Sequence, residues 1–197
     1  MPSATPILYV VAGPNGSGKS TLTRSRRFGG VELIDPDAIA RRRTSLGDLE
    51  SAVRTARREA VRRRRAALVN RRTVVVETTL AGKTMLLAMD QARSAGYRIE
   101  LHYVSVNSVA QALDRIANRV ALGGHDVPEG DVRRRFARSL TNLPTAVARS
   151  HETRIYDNAS PENPHREVAV LTPESRWIAE NPPPWLDTTA LHPESSR

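Results

Sequence analysis

The stretch Gly13-Pro14-Asn15-Gly16-Ser17-Gly18-Lys19-Ser20-Thr21 follows directly on the apolar run Ile7–Val11. Glycines in this order let a backbone curl so that successive amides point inward, which makes a cradle for a polyphosphate. A helix starting near Gly18 adds its positive end. Lys19 supplies a compact charge for the outer phosphates, and the Ser20 hydroxyl is suited to a divalent cation. The full spacing, with an apolar strand before it and a helix after it, is a specific signal, because a chance glycine turn rarely has both flanks.

Acids come next. "LIDPD" ends one expected strand with Asp35 and Asp37, and "VVVETT" ends another with Glu77, followed by Thr78 and Thr79. In a doubly wound sheet the carboxyl ends of strands beside such a loop converge on the ligand crevice. A carboxylate there can accept a proton from a hydroxyl or help hold magnesium. Asp37 also reads as a helix cap before Ala38–Ile39–Ala40, and Asp35 reads as the more structural of the two. From Arg115 to Asn142, Arg115 and Arg119 on one helix enter the Gly123–Gly124 turn, and a second helix carries Arg133, Arg134, Arg135 and Arg138. Two helices joined by a glycine hinge suggest a lid that brings arginines over a migrating phosphoryl group and excludes water. His125 lies at that hinge and receives no chemical step.

These groups need a scaffold, and the chain alternates strands with helices. Strands are expected at Ile7–Val11, Val31–Ile34, Thr73–Val76, Tyr97–Val106, Thr153–Tyr156 and Val168–Leu171. Helices are expected over about 18–27, 47–70, 84–94, from a cap at Asn107 to Leu122, and from a first turn at Pro128. This pattern implies an α/β fold, a parallel sheet covered by helices on both faces. Residues 1–180 are expected to form one domain, with a helical lid over about 115–142 and a Pro-rich, extended or poorly ordered tail over 181–197. The run Arg62–Arg65 reads as a solvated face of the long helix, opposite a stripe of Leu49, Val53, Ala56, Ala60 and Ala67.

The 197 residues carry a net charge of +9, almost all of it arginine, since Lys19 and Lys83 are the only lysines. Basic chains attract nucleic acids and also anionic small molecules. The 4% aromatic content and the lack of a base-reading motif weigh against nucleic acid. Guanine-selective Asn-Lys-x-Asp surroundings are absent, and so is the paired-acid strand end of motor-type ATPases. With no cysteine, no membrane-length apolar run and no signal-like start, a cytoplasmic protein is expected.

Five ordered motifs, "AGPNGSGKST", "LIDPDAIAR", "VVVETTLAG", "RVALGGHDVPEGDVRRRFARSLTNL" and "YDNAS", together resemble the zeta-toxin family of small kinases over about Ile7 to Asn158. The resemblance implies a nucleoside-monophosphate-kinase-like fold with ATP and magnesium as donor and cofactor. It also implies phosphorylation of UDP-N-acetylglucosamine at a sugar hydroxyl, and an antitoxin partner that blocks the ATP site. By motif, Lys19 and Ser20 become the phosphate and magnesium contacts and Asp37 the catalytic base. Glu77, with Thr78 and Thr79, falls on the acceptor side, while Arg119 and one of Arg134 or Arg135 become the lid arginines. The chain is shorter than the full-length toxins, and "ETTLAG" replaces their "EGT", which bears on the acceptor. Two readings stay open beside this one: a kinase for another small molecule, such as an antibiotic or sugar, and a nucleotide-switched ATPase that binds nucleic acid.

Overall fold

The computed structural model describes residues 4–24, 28–43, 49–124 and 126–191. The β-branched apolar runs become the middle of a seven-stranded sheet. In chain order its strands are β1 (Ile7–Ala12), β2 (Glu32–Ile34), β3 (Val74–Thr78), β4 (Arg98–Ser105), β5 (Glu152–Asp157), β6 (Arg166–Leu171) and β7 (Arg176–Ile178). They lie in the order β2-β3-β1-β4-β5-β6-β7. The first five are mutually parallel. Chain direction across the sheet reverses at β1, which has β3 on one side and β4 on the other, so the crevice opens at the carboxyl end of β1. Register does the fine positioning: Val11 lies opposite Glu77, Ala12 opposite Thr78, and Ile34 opposite Val76. The residues that follow β1, β2 and β3 therefore emerge side by side along one rim.

The last two strands extend this parallel core in the other direction. β6 pairs antiparallel with β5, and β7 antiparallel with β6. The alternating pattern implies a parallel sheet and carries no signal for β7, whereas β6 and β7 are antiparallel. The physical reason is connection length: the turn from β6 to β7 is closed by the Thr172 amide donating to the Ser175 carbonyl at 2.8 Å. A turn that short can return only an antiparallel strand, since a parallel neighbour needs a crossover of a dozen residues or more.

Among the described residues six helices cover the sheet: α1 (Lys19–Arg24), α2 (Pro36–Arg43), α3 (Leu49–Val69), α4 (Lys83–Ser94), α5 (Val109–Ala121) and α6 (Glu129–Arg149). The short α2 starts with proline at its first position and with Asp35 Oδ1 accepting from the Asp37 amide at 2.9 Å. Asp35 is thus the cap, and Asp37 lies in the first turn. α5 is capped by Ser108, whose hydroxyl accepts from the Gln111 amide at 3.2 Å. The expected cap, Asn107, stands one residue too early and instead donates its own amide to Gln111 Oε1 at 3.1 Å. Pro128 likewise precedes α6 rather than opening it. Inside the core the Tyr103 hydroxyl and Ser139 Oγ lie 2.9 Å apart, a polar tie between β4 and α6. No helix among the described residues is long and apolar enough to cross a membrane.

The Pro-rich end does not follow its expected course as far as Leu191. Leu186 and Leu191 are buried. The Trp185 ring sits 6.1 Å from that of Tyr103, and its indole nitrogen donates to Asp157 Oδ1 at 3.3 Å. Prolines stiffen this segment, but Trp185, Leu186 and Leu191 between and after them supply enough apolar surface to hold it against the core. Residues 192–197 lie outside the described residues, as does His125 at the α5–α6 turn.

Candidate active site

The loop between β1 and α1 has the geometry its glycines foretell. Gly13 has φ +143°, and a Cβ there would run into the Val104 carbonyl; Gly16 has φ +76°. Only glycine serves at both. Among the described residues Ser17 Oγ is buried without a hydrogen-bond partner. A buried hydroxyl left unmatched in a curled glycine loop is what an anion cradle needs. The residues present therefore fit a nucleotide polyphosphate.

Lys19 is buried, and its ammonium donates to the Pro14 carbonyl at 2.8 Å. Burial pushes its pKa down, while Glu77, Asp37 and Asp35 pull the other way. The loop is held from behind by a segment that follows β5. Asn158 Nδ2 donates to the Ser17 carbonyl at 2.8 Å, Asn158 Oδ1 accepts from the His165 amide at 3.1 Å, and the His165 ring meets the Gly18 carbonyl at 3.1 Å. "YDNAS" marked Asn158 only as part of a motif, and His165 carried no sequence signal at all, because its partner lies 147 residues away. Replacing Asn158 with alanine strands a buried carbonyl and loosens the loop. We expect that variant to bind ATP about tenfold more weakly in a calorimetric titration; unchanged affinity would mean that the loop holds its own shape.

Glu77 is buried at the end of β3, with Oε1 accepting from Ser20 Oγ at 2.8 Å and Oε2 from Thr23 Oγ1 at 3.2 Å. Burial raises its pKa, with Lys19 as the main opposing influence. The resemblance puts Glu77 on the acceptor side; its carboxylate meets the Ser20 hydroxyl beside the phosphate loop, and the residue also lines the cleft. Thr78 and Thr79 do face the cleft. Thr78 Oγ1 also accepts from the Leu80 amide at 3.1 Å, and the Leu80 carbonyl in turn accepts from Asn142 Nδ2 of α6 at 2.8 Å. Among the described residues no group of three or more His, Cys, Asp or Glu could hold a metal unaided. Ser20 and Glu77 would hold a hard cation only together with phosphate oxygens and water.

The cleft itself is a cavity of about 820 Å³. Lys19, Asp37 and Glu77 line it from the sheet, and Arg134, Arg135 and Arg138 line it from α6. Asp37 is exposed, whereas the capping Asp35, which also lines the cavity, is buried. Of the three adjacent lid candidates, Arg133 turns away onto Glu129 at 2.6 Å. Arg134 and Arg135 both grip Asp131, each at 2.7 Å. Arg119 belongs to the rim rather than to this cavity: its carbonyl accepts from Gly124 N at 2.9 Å, closing the turn after α5, and its charge helps to lower the Lys19 pKa.

One expectation is overturned. The Arg62–Arg65 run is not a uniformly solvated face, because Arg64 is 7% exposed and lines the cavity. Among the described residues its Nε has no hydrogen-bond partner, and burial together with neighbouring Arg65 lowers its pKa.

A family model described as an AAA domain matches residues 8–143. An uncharacterized protein of Haemophilus influenzae is 33% identical over 128 residues, covering 63% of this chain and 88% of its own length. Among solved structures, the AvrRxo1-ORF1:-ORF2 complex with ATP superposes with a TM-score of 0.70 at 16% identity, over 89% of this chain and 61% of that one. The PezAT toxin–antitoxin system of Streptococcus pneumoniae gives a TM-score of 0.61 at 15% identity, over 85% of this chain and 72% of that one. At such identities these likenesses speak to the fold alone.

Proposed function

This chain belongs to the AAA domain family, and we propose that it is an ATP-dependent small-molecule kinase of the zeta-toxin type. The observation that carries the reading is the shared cleft. A phosphate-loop lysine, the Asp37 carboxylate in the first turn of α2 and the arginines of α6 all line one cavity. A donor site, a base and transition-state cations are the three things phosphoryl transfer requires together.

The loop amides and Lys19 hold the β- and γ-phosphates of ATP, with Ser20 and, behind it, Glu77 at the magnesium position. That cation, when bound, offsets charge on the phosphate oxygens. Asp37 accepts the proton of the acceptor hydroxyl. The new bond joins that oxygen to the γ-phosphorus, the bond from the γ-phosphorus to the β–γ bridging oxygen breaks, and ADP leaves with the electron pair. Arg134 or Arg135, released from Asp131 as α5 and α6 close as a lid, stabilises the equatorial oxygens, and Arg119 approaches from the rim. A hydroxyl of UDP-N-acetylglucosamine or a related nucleotide sugar is the acceptor we favour, on the five motifs. An antitoxin that covers the ATP cleft is the partner we expect, in the cytoplasm.

The test is incubation with γ-labelled ATP, magnesium and a panel of UDP-N-acetylglucosamine, neutral sugars, sugar phosphates and aminoglycosides. Label on one compound, dependent on Asp37, is expected. Label released only to water, at a rate unmoved by every compound, would replace the kinase with an ATPase.

A further inference from the structure

Arg64 poses a physical problem. Charged guanidinium atoms removed from water cost free energy unless they are paired, and among the described residues its buried Nε has no partner. An alanine at this position would pack into the same stripe without that cost. Arg64 is also not alone. Arg57, two helical turns earlier and on the same face of α3, lines the same cavity, as does Arg58. α3 packs against α2, the helix that carries Asp37, so this basic face stands beside the residue that would take the hydroxyl proton. The donor phosphates are already provided for by the loop and Lys19. Across the cavity, Arg138 of α6 adds another cation, while Asp131 is already shared by Arg134 and Arg135.

We propose that the face of α3 bearing Arg64, Arg57 and Arg58 is an oxyanion site for the acceptor, so that the substrate carries a phosphate or carboxylate group besides the hydroxyl it offers to Asp37. Arginine suits this task because its planar fork meets such groups through two parallel hydrogen bonds. The inference rests on the kinase reading, and it narrows that reading: neutral sugars and cationic antibiotics are excluded as acceptors, and Arg64 becomes the residue that selects against them.

The experiment begins with protein saturated with a non-hydrolysable ATP analogue and magnesium, so that the phosphate loop is filled. Inorganic phosphate and, separately, acetate are then titrated calorimetrically at matched ionic strength. Binding of at least one anion is expected, and which of the two binds separates a phosphate from a carboxylate acceptor. Arg64→Leu should weaken that binding about tenfold or more. The variant's ligand-free melting temperature should equal or exceed that of the wild type, since a buried unpaired charge has been removed. Arg57→Leu, on the exposed part of the same face, should weaken anion binding without lowering the melting temperature, which serves as a second reading. Either of two results overturns the inference: no anion binding with the loop filled, or an Arg64→Leu protein that melts earlier yet binds anion unchanged. In both, the analogue still binds, so the kinase reading stands. Failure of the analogue itself to bind would remove that reading, and this one with it.

Discussion

Lys19→Met lowers phosphoryl transfer by about a thousandfold or more, while the ligand-free protein melts no earlier than the wild type. The two halves of this result have one cause. The Lys19 ammonium is buried and meets a single carbonyl at 2.8 Å, with acids nearby but none in direct contact. In the proposed transfer such a charge acts strongly on the phosphoryl oxygens, because it is buried where little water screens it. For the same reason it costs stability when no phosphate is present. The pH dependence follows from the lowered pKa. Below the folded-state value the wild type carries the buried charge in full, and its stability deficit relative to Lys19→Met is complete. As the pH rises from the folded value toward the ordinary 10.5, the folded state has already lost its proton, and the deficit shrinks. Melting curves of both proteins from pH 7 to 10.5 check this. A gap that widens with pH would contradict the account.

Asp37→Ala lowers transfer to the acceptor by about a hundredfold to ten-thousandfold, the usual contribution of a positioned general base. ATP affinity changes little, because the loop and Lys19 hold the donor. Asp37 is free for this role because Asp35 performs the capping: its side chain, not that of Asp37, accepts the hydrogen bond that starts α2. The discriminating comparison is Asp35→Ala, which removes a cap and should act on stability by about 1 kcal/mol. If Asp37→Ala retained near-normal transfer, or if its main effect were a lower melting temperature, Asp37 would be a structural residue and the base would have to be sought elsewhere on the rim.

The loop and the rim were legible in the sequence because both depend on local signals. Glycine spacing fixes the loop, and an acid directly after an apolar run marks the end of a parallel strand, so Asp35, with Asp37 two residues on, and Glu77 could be assigned to one rim before the register of β1, β2 and β3 was known. What Glu77 touches could not be read, since Ser20 lies 57 residues away. β7 was missed because it is only three residues long, and its direction depends on a turn rather than on hydrophobic pattern.

Arg64 is the instructive case. It stands four residues after Ala60 and three before Ala67, in phase with the apolar stripe of α3. Three arginines beside it made the run look like one solvated block, and composition masked phase. A charged residue in phase with a buried stripe is the signal that could have found it. The second lid arginine shows the opposite limit: at helical spacing Arg133, Arg134 and Arg135 are equivalent candidates, and only their partners, Glu129 for the first and Asp131 for the other two, separate them.

The central claim is that the turn after β1 grips a triphosphate. Isothermal calorimetry with ATP and magnesium on the wild-type protein and Lys19→Met tests it most directly. One nucleotide bound per chain, with the heat lost in the variant, is the predicted result. A flat titration at millimolar ATP across several temperatures, or equal heats from the two proteins, would contradict it.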